Sequence, residues 1–169
     1  MEVKSRHYLS AKDVKKFNQE IVKLYPHLEG SVELKNSTVE VITLTENIKL
    51  YIVDNKLDWI MIKDRLIPSV SLLNRGLEIP FIKVDMGAIP FIAKGADVMR
   101  PGIVDASDKI SRGSIVKIID EKYSKTIAVG ESLINYEEFK VKKQGKAVKV
   151  LHHVGDKLWS LAGSLNIKQ

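Results

Sequence analysis

Apolar residues recur at helical spacing early in the chain. Val14, Phe17, Ile21 and Leu24 fall three to four residues apart, with Lys12, Lys15, Lys16 and Lys23 off that face. This predicts an amphipathic helix of about four turns. Ser10 with Asp13 three residues on reads as its cap, and Pro26 stops it. The period then changes. Thr38 to Thr45 alternates Val39 and Val41 with Glu40, Ile42 and Leu44, a strand pattern rich in β-branched residues. Ile48–Val53 and Leu57–Ile62 flank Asp54-Asn55-Lys56, which predicts a hairpin. Pro68 is expected to open a second helix, with Val70, Leu73 and Leu77 on one side and Gly76 at its end. Residues 79–84 lead out of this half.

The run from Val84 to Ile103, V-D-M-G-A-I-P-F-I-A-K-G-A-D-V-M-R-P-G-I, reads as a short helix followed by a glycine loop. Asp85 is the expected N-cap, and Ile89, Ile92 and Ala93 share a face. Gly95 is placed to end the helix in the left-handed region. Pro90 lacks an amide hydrogen, so the helix is expected to begin later than Asp85, near Ala88. Short strands follow at Ile115–Ile119, Thr126–Val129 and Lys146–Leu151. Between them, Asn135 and Glu138 are spaced to cap a helical turn. Closely spaced strands with few helices suggest a small mixed barrel.

Composition narrows the function classes. The 169 residues are 44% hydrophobic and 28% charged, enough apolar content for a core. There is no Cys, which excludes disulfides, cysteine-ligated zinc and a thiol nucleophile. No apolar run approaches the ~18 residues of a membrane span. The polar start M-E-V-K-S-R-H-Y is unlike a signal peptide, so a cytoplasmic location is expected. Net charge is +6, a balance that suits nucleic acid. Lys140, Lys142, Lys143, Lys146 and Lys149 crowd one window, either a solvated turn or a phosphate-facing patch. No phosphate loop or dinucleotide pattern occurs. His152-His153-x-x-Asp156 is a poor metal set, because neighbouring strand residues point to opposite faces.

Four separated segments resemble the PUA domain, an RNA-binding module named for pseudouridine synthases and archaeosine transglycosylases. They are the run from Val84, then S-R-G-S-I-V-K-I, then T-I-A-V-G, then G-K-A-V-K-V-L-H-H-V-G-D-K-L-W. With the half that precedes them, they are similar to the malignant T-cell-amplified-sequence family of translation factors and its archaeal relatives. The resemblance implies an α+β chain. A pre-PUA α+β domain would cover residues 1–82, and a PUA-type mixed β pseudo-barrel residues 83–169. It implies no catalysis and no cofactor or metal. It points to an RNA groove built from Lys94, Gly95, Ala96, Val98, Met99, Arg100, Pro101 and Gly102, with Val150, Leu151 and His152 from a late strand. Arg100 and Lys94 would supply charge, and Met99 an apolar surface for a base. The implied partner is structured RNA, tRNA or rRNA, and no DNA. A small ribosomal subunit or a translation factor would be the protein partner, in initiation, reinitiation or recycling. The other role open to such a chain is accessory RNA-binding subunit of a tRNA- or rRNA-modifying enzyme.

Overall fold

A computed structural model describes residues 1–169. The chain divides into two compact units, residues 1–72 with 162–169, and residues 73–161.

The first unit is a five-stranded antiparallel sheet with one long helix. Its strands are β1 (Val3–Tyr8), β2 (Val39–Leu44), β3 (Ile48–Val53), β4 (Lys56–Ile62) and β5 (Arg65–Pro68), in spatial order β1-β2-β3-β4-β5. Helix α1 (Ala11–Leu24) starts where Ser10 Oγ accepts the Asp13 N–H at 3.2 Å. It buries Val14, Phe17 and Ile21, and Phe17 stacks on Tyr51 at 4.1 Å. Leu24, expected on the same face, is 52% exposed. The chain leaves the helix at Tyr25, which turns inward instead and donates its hydroxyl to Leu66 O at 2.6 Å. The hairpin turns are local: Asp54 and Asn55 both take positive φ, as do Lys63 and Asp64. That is the twist a two-residue hairpin loop needs.

Pro68 does not open a helix. It ends the edge strand β5, where a missing N–H costs no ladder bond. Ser69 Oγ accepts the Leu72 N–H at 2.9 Å and starts α2 (Val70–Asn74). Strand β1 has no apolar alternation and was not expected. All six of its residues are exposed, and β2 holds it by main-chain pairing.

The second unit is a six-stranded sheet. Its strands are β6 (Phe81–Val84), β7 (Val98–Met99), β8 (Ile103–Ala106), β9 (Ile115–Asp120), β10 (Thr126–Ser132) and β11 (Lys146–His153). The spatial order is β7-β11-β10-β9-β6-β8, with β6 and β9 parallel and the other pairs antiparallel. The two end strands, β7 and β8, are consecutive in the chain and joined by the turn Arg100–Gly102, so the sheet curls into a nearly closed barrel. Ile82, Val84, Ile92, Val98, Val116, Ile118, Ala128 and Val148 fill its interior. The barrel is decorated by α3 (Ile89–Ile92) and α4 (Tyr136–Val141), and α5 (Lys157–Ser164) follows β11. Strand β10 runs past Gly130, its expected end, to Ser132, with a register shift at Val129/Gly130. At Gly130 a Cβ would stand 2.5 Å from Lys149 O and 2.6 Å from a Val148 methyl. No helix is long and apolar enough to cross a membrane.

Candidate functional site

The glycine loop is held at both ends by Asp85. Its N–H donates to Gly102 O at 2.9 Å, and its Oδ1 accepts the Ala88 N–H at 2.8 Å. Asp85 thus fixes the turn before α3, while Ala88 is the N-cap and Pro90 falls in the first turn, where its missing N–H costs nothing. Ile92 points into the barrel core. Phe91, next to it, is 67% exposed. The helix ends as its glycine predicts: Gly95 has φ 89°, and its N–H returns to Ile92 O at 2.9 Å.

Beyond Gly95 the chain is tied to β11. Asp97 Oδ1 accepts the Val150 N–H at 2.9 Å, and Oδ2 meets Lys146 Nζ at 2.8 Å. Burial pushes the Asp97 carboxyl up, but Lys146 and the Val150 N–H outweigh it and hold it below its ordinary value. Val98 then pairs with Val148, and Met99 with Lys146. Between α3 and β7 lies a cleft of ≈ 340 Å³, whose walls include Gly87, Phe91, Asp97, Met99, Pro101 and Gly102. Phe91 and Met99, the latter 49% exposed, present apolar surface to solvent there.

The residues expected from sequence are distributed as follows. Lys94, Gly95, Ala96, Met99 and Pro101 are exposed, and Gly102, Val150 and Leu151 half-buried. Val98 is buried in the barrel core. Arg100 is turned into the protein. Its Nε and Nη2 both donate to Phe139 O at 3.1 and 3.0 Å, and Nη1 donates to Ile103 O at 3.1 Å. The guanidinium also lies 4.3 Å from the centre of the Phe139 ring. It clamps α4 to the loop and has few donors left for a ligand.

His152 is fully buried, with Nδ1 2.7 Å from Asp156 Oδ2. Asp156 also accepts the Trp159 N–H at 2.7 Å and so caps α5. Burial raises the Asp156 carboxyl, and His152 with the helix amides more than offsets this, leaving it below the usual range. The partly exposed neighbour, His153, faces the loop: its Nε2 is 3.3 Å from where a Gly95 Cβ would stand. Phe91 and His153 also stand at this loop, and neither is expected from the sequence. Strand parity gives His153, since an inward His152 puts it on the opposite face of β11. Phe91 lies about 100° around a helix from the inward Ile92, so its exposure needed the fold.

Charge is thinner here than the lysine count suggests. Lys140 pairs with Glu137 at 2.8 Å, Lys142 with Glu138 at 2.9 Å, and Lys146 with Asp97. Hydrogen bonds from Arg112 and Lys142 hold the Glu138 carboxyl down to about 2. Lys94, Lys143 and Lys149 remain exposed around the cleft's unit.

Residues 80–154 match the PUA domain, and residues 5–76 match a domain of unknown function, DUF1947. An uncharacterized protein of Methanocaldococcus jannaschii is 40% identical over 164 residues, covering 96% of this chain and 100% of the relative. Translation machinery-associated protein 20 of Saccharomyces cerevisiae is 32% identical over 171 residues, covering 95% and 94%. The crystal structure of a hypothetical protein from Pyrococcus horikoshii superposes with a TM-score of 0.79 at 34% identity, over 94% of this chain and 99% of that one. The chain therefore belongs to the family of these relatives, and its own DUF1947 match precedes its PUA match.

Proposed function

We propose that this chain is a non-catalytic RNA-binding protein of the translation machinery, and that the cleft between α3 and β7 is where it holds structured RNA. One observation carries the reading: Phe91 and Met99 stand exposed on the walls of a cleft that Gly87 and Gly102 also line, with Lys94 exposed three residues on from Phe91. An exposed aromatic beside a cation and a side-chain-free main chain is what an unstacked base and its phosphate require. The kinship with translation machinery-associated protein 20 supports a place in translation. The finer reading is binding to tRNA or small-subunit rRNA in the cytoplasm, in initiation, reinitiation or recycling.

In this reading the side chains divide by task. Phe91 and Met99 receive a base, Lys94 a phosphate, and His153 approaches the ligand over Gly95. Val150 and Leu151 form the β11 wall. Val98 and His152 support that wall from inside, and Arg100 holds the loop's shape. The test is nitrocellulose filter binding of tRNA and of small-subunit rRNA to the full chain and to a Phe91→Ala, Lys94→Ala variant. The reading expects weaker binding by the variant. Equal affinity would remove the cleft from the interface.

A further inference from the structure

Strands β9 and β10 are joined by a turn over residues 121–125, E-K-Y-S-K, and all five are exposed. The turn is built on one buried carboxylate. Asp120 accepts the N–H groups of Lys122 at 2.9 Å, Tyr123 at 2.5 Å and Lys125 at 3.0 Å. Asp120 N–H donates to Lys125 O at 3.1 Å, and Ser124 N–H returns to Asp120 O at 3.1 Å. Burial raises the Asp120 carboxyl, but the turn's amides outweigh it and hold it below its ordinary value. Main chain and Asp120 thus set the turn's shape, and the side chains of Lys122, Tyr123 and Lys125 are left to face outward. Tyr123 is 66% exposed, with Lys122 Nζ 5.2 Å from its ring centre.

The turn is also fastened to the loop that lines the cleft beside α3. Glu121 N–H donates to Val84 O at 3.0 Å, and Glu121 Oε1 accepts the Met86 N–H at 3.0 Å. Met86 lies between Asp85 and Gly87, both of which line that cleft. Tyr123 is two residues beyond Glu121, so their Cα atoms are within about 8 Å of each other. Met86, 43% exposed, adds apolar surface at the junction.

The ring selects the occupant, and charge agrees with it. Asp120 is buried and Glu121 faces the Met86 N–H, whereas Lys122 and Lys125 are exposed and stand in no ion pair. An open aromatic ring with a cation at its face offers stacking for a base and, one residue away, a contact for its phosphate. Bases inside a duplex are already stacked, so an unpaired strand is what can use the ring. Continuity with the cleft supplies that strand.

Resting on the RNA reading of the cleft, we propose that the β9–β10 turn is a second stacking site for the same RNA. An unpaired segment leaves the cleft at Asp85 and Gly87, passes Met86, and sets a base on Tyr123 with phosphates on Lys122 and Lys125.

The test is equilibrium binding of the full chain to uridine oligonucleotides of about four and about twelve residues, the shorter filling the cleft alone and the longer reaching the turn. Phe91→Ala is expected to weaken both. Tyr123→Ala is expected to weaken the longer by about tenfold and leave the shorter unchanged. Tyr123→Phe keeps the ring and should bind as the parent does. Replacing Lys122 and Lys125 together by Ala should lower the salt slope for the longer strand by about 1.4, two phosphates' worth on single-stranded RNA. Parent affinity of Tyr123→Ala for the longer strand, beside a loss in Phe91→Ala, leaves the cleft in place and overturns the second site. Equal loss of both lengths in Tyr123→Ala, or an unchanged slope in the lysine variant, overturns it too. Loss in Tyr123→Ala without loss in Phe91→Ala removes the cleft, and with it the continuous path. Failure of the parent chain to bind either length overturns both readings.

Discussion

Arg100 spends its charge on the protein before any ligand arrives. Three of its donors reach main-chain carbonyls, two on Phe139 and one on Ile103, and its plane lies on the Phe139 ring. Charge-assisted bonds of this kind are worth about 1.5–3 kcal/mol, so Arg100→Ala should destabilise the barrel by about 2 kcal/mol in urea unfolding. Arg100→Lys should recover only part, because a compact ammonium does not span both carbonyls as a planar fork does. Unchanged stability in the alanine variant would contradict the clamp. Asp97 makes a second testable contact. Its carboxyl is held below the ordinary carboxylate value, so the ionised form is the one bound to Lys146 and Val150. The stability this lends is fully present above the unfolded value of 3.8 and is lost as pH falls through the lower folded value. Lowering the pH into that range should reduce the protection factor of the Val150 amide, its exchange rate referred to the intrinsic rate at the same pH. Asp97→Asn keeps an acceptor for Val150 and loses the ion pair with Lys146, so its Val150 protection factor should not depend on pH there. A wild-type protection factor insensitive to pH would refute the latch. Arg100 could not be read correctly from sequence, since a cation in a glycine loop looks available and its main acceptor lies 39 residues away.

Elements whose signals are local were legible. Ser10 with Asp13, Asp54 with Asn55, and Asn135 with Glu138 each fix a cap or turn within a few residues. The structure has the bonds they imply, including a capping box at α4. Elements defined by a distant partner were not. Strand β1 is exposed on both faces and so has no alternation to read. Strand β7 is two residues long and exists through its pairing with β11. Strand β5 ends in a proline that local rules assign to a helix start. Gly130 shows the same limit, for its neighbours Lys149 O and the Val148 methyl come from the adjacent strand. Gly130→Ala should cost about 2 kcal/mol or more, because a backbone carbonyl is in the way and overpacking forces the strands apart. Thermal unfolding checks it, and a variant as stable as the parent would mean the register shift adapts freely. The displacement would also reach β11, one wall of the proposed groove.

At the scale of the molecule, the two units have separate supports. The C-terminal residues 162–169 group with the first unit: Lys168 N–H donates to Asn55 O at 3.0 Å and Lys168 O accepts the Leu57 N–H at 3.1 Å. The second unit carries the PUA match, the cleft with Phe91 and Met99, and the exposed Lys94. The motif order along the second half made the family and the barrel legible, while the direction in which Arg100, His152 and Phe91 point needed the folded chain. A net charge of +6 predicts RNA binding that weakens with salt, as counterions return to the phosphates. The most direct measurement is the tRNA affinity of the full chain across a salt series, with Lys94→Ala and Phe91→Ala compared with the parent. The account predicts that Lys94→Ala lowers the salt slope by about one. It predicts that Phe91→Ala leaves the slope in place and loses about 1–3 kcal/mol of affinity through lost stacking. Parent-like affinity and slope in both variants would contradict an RNA groove between α3 and β7.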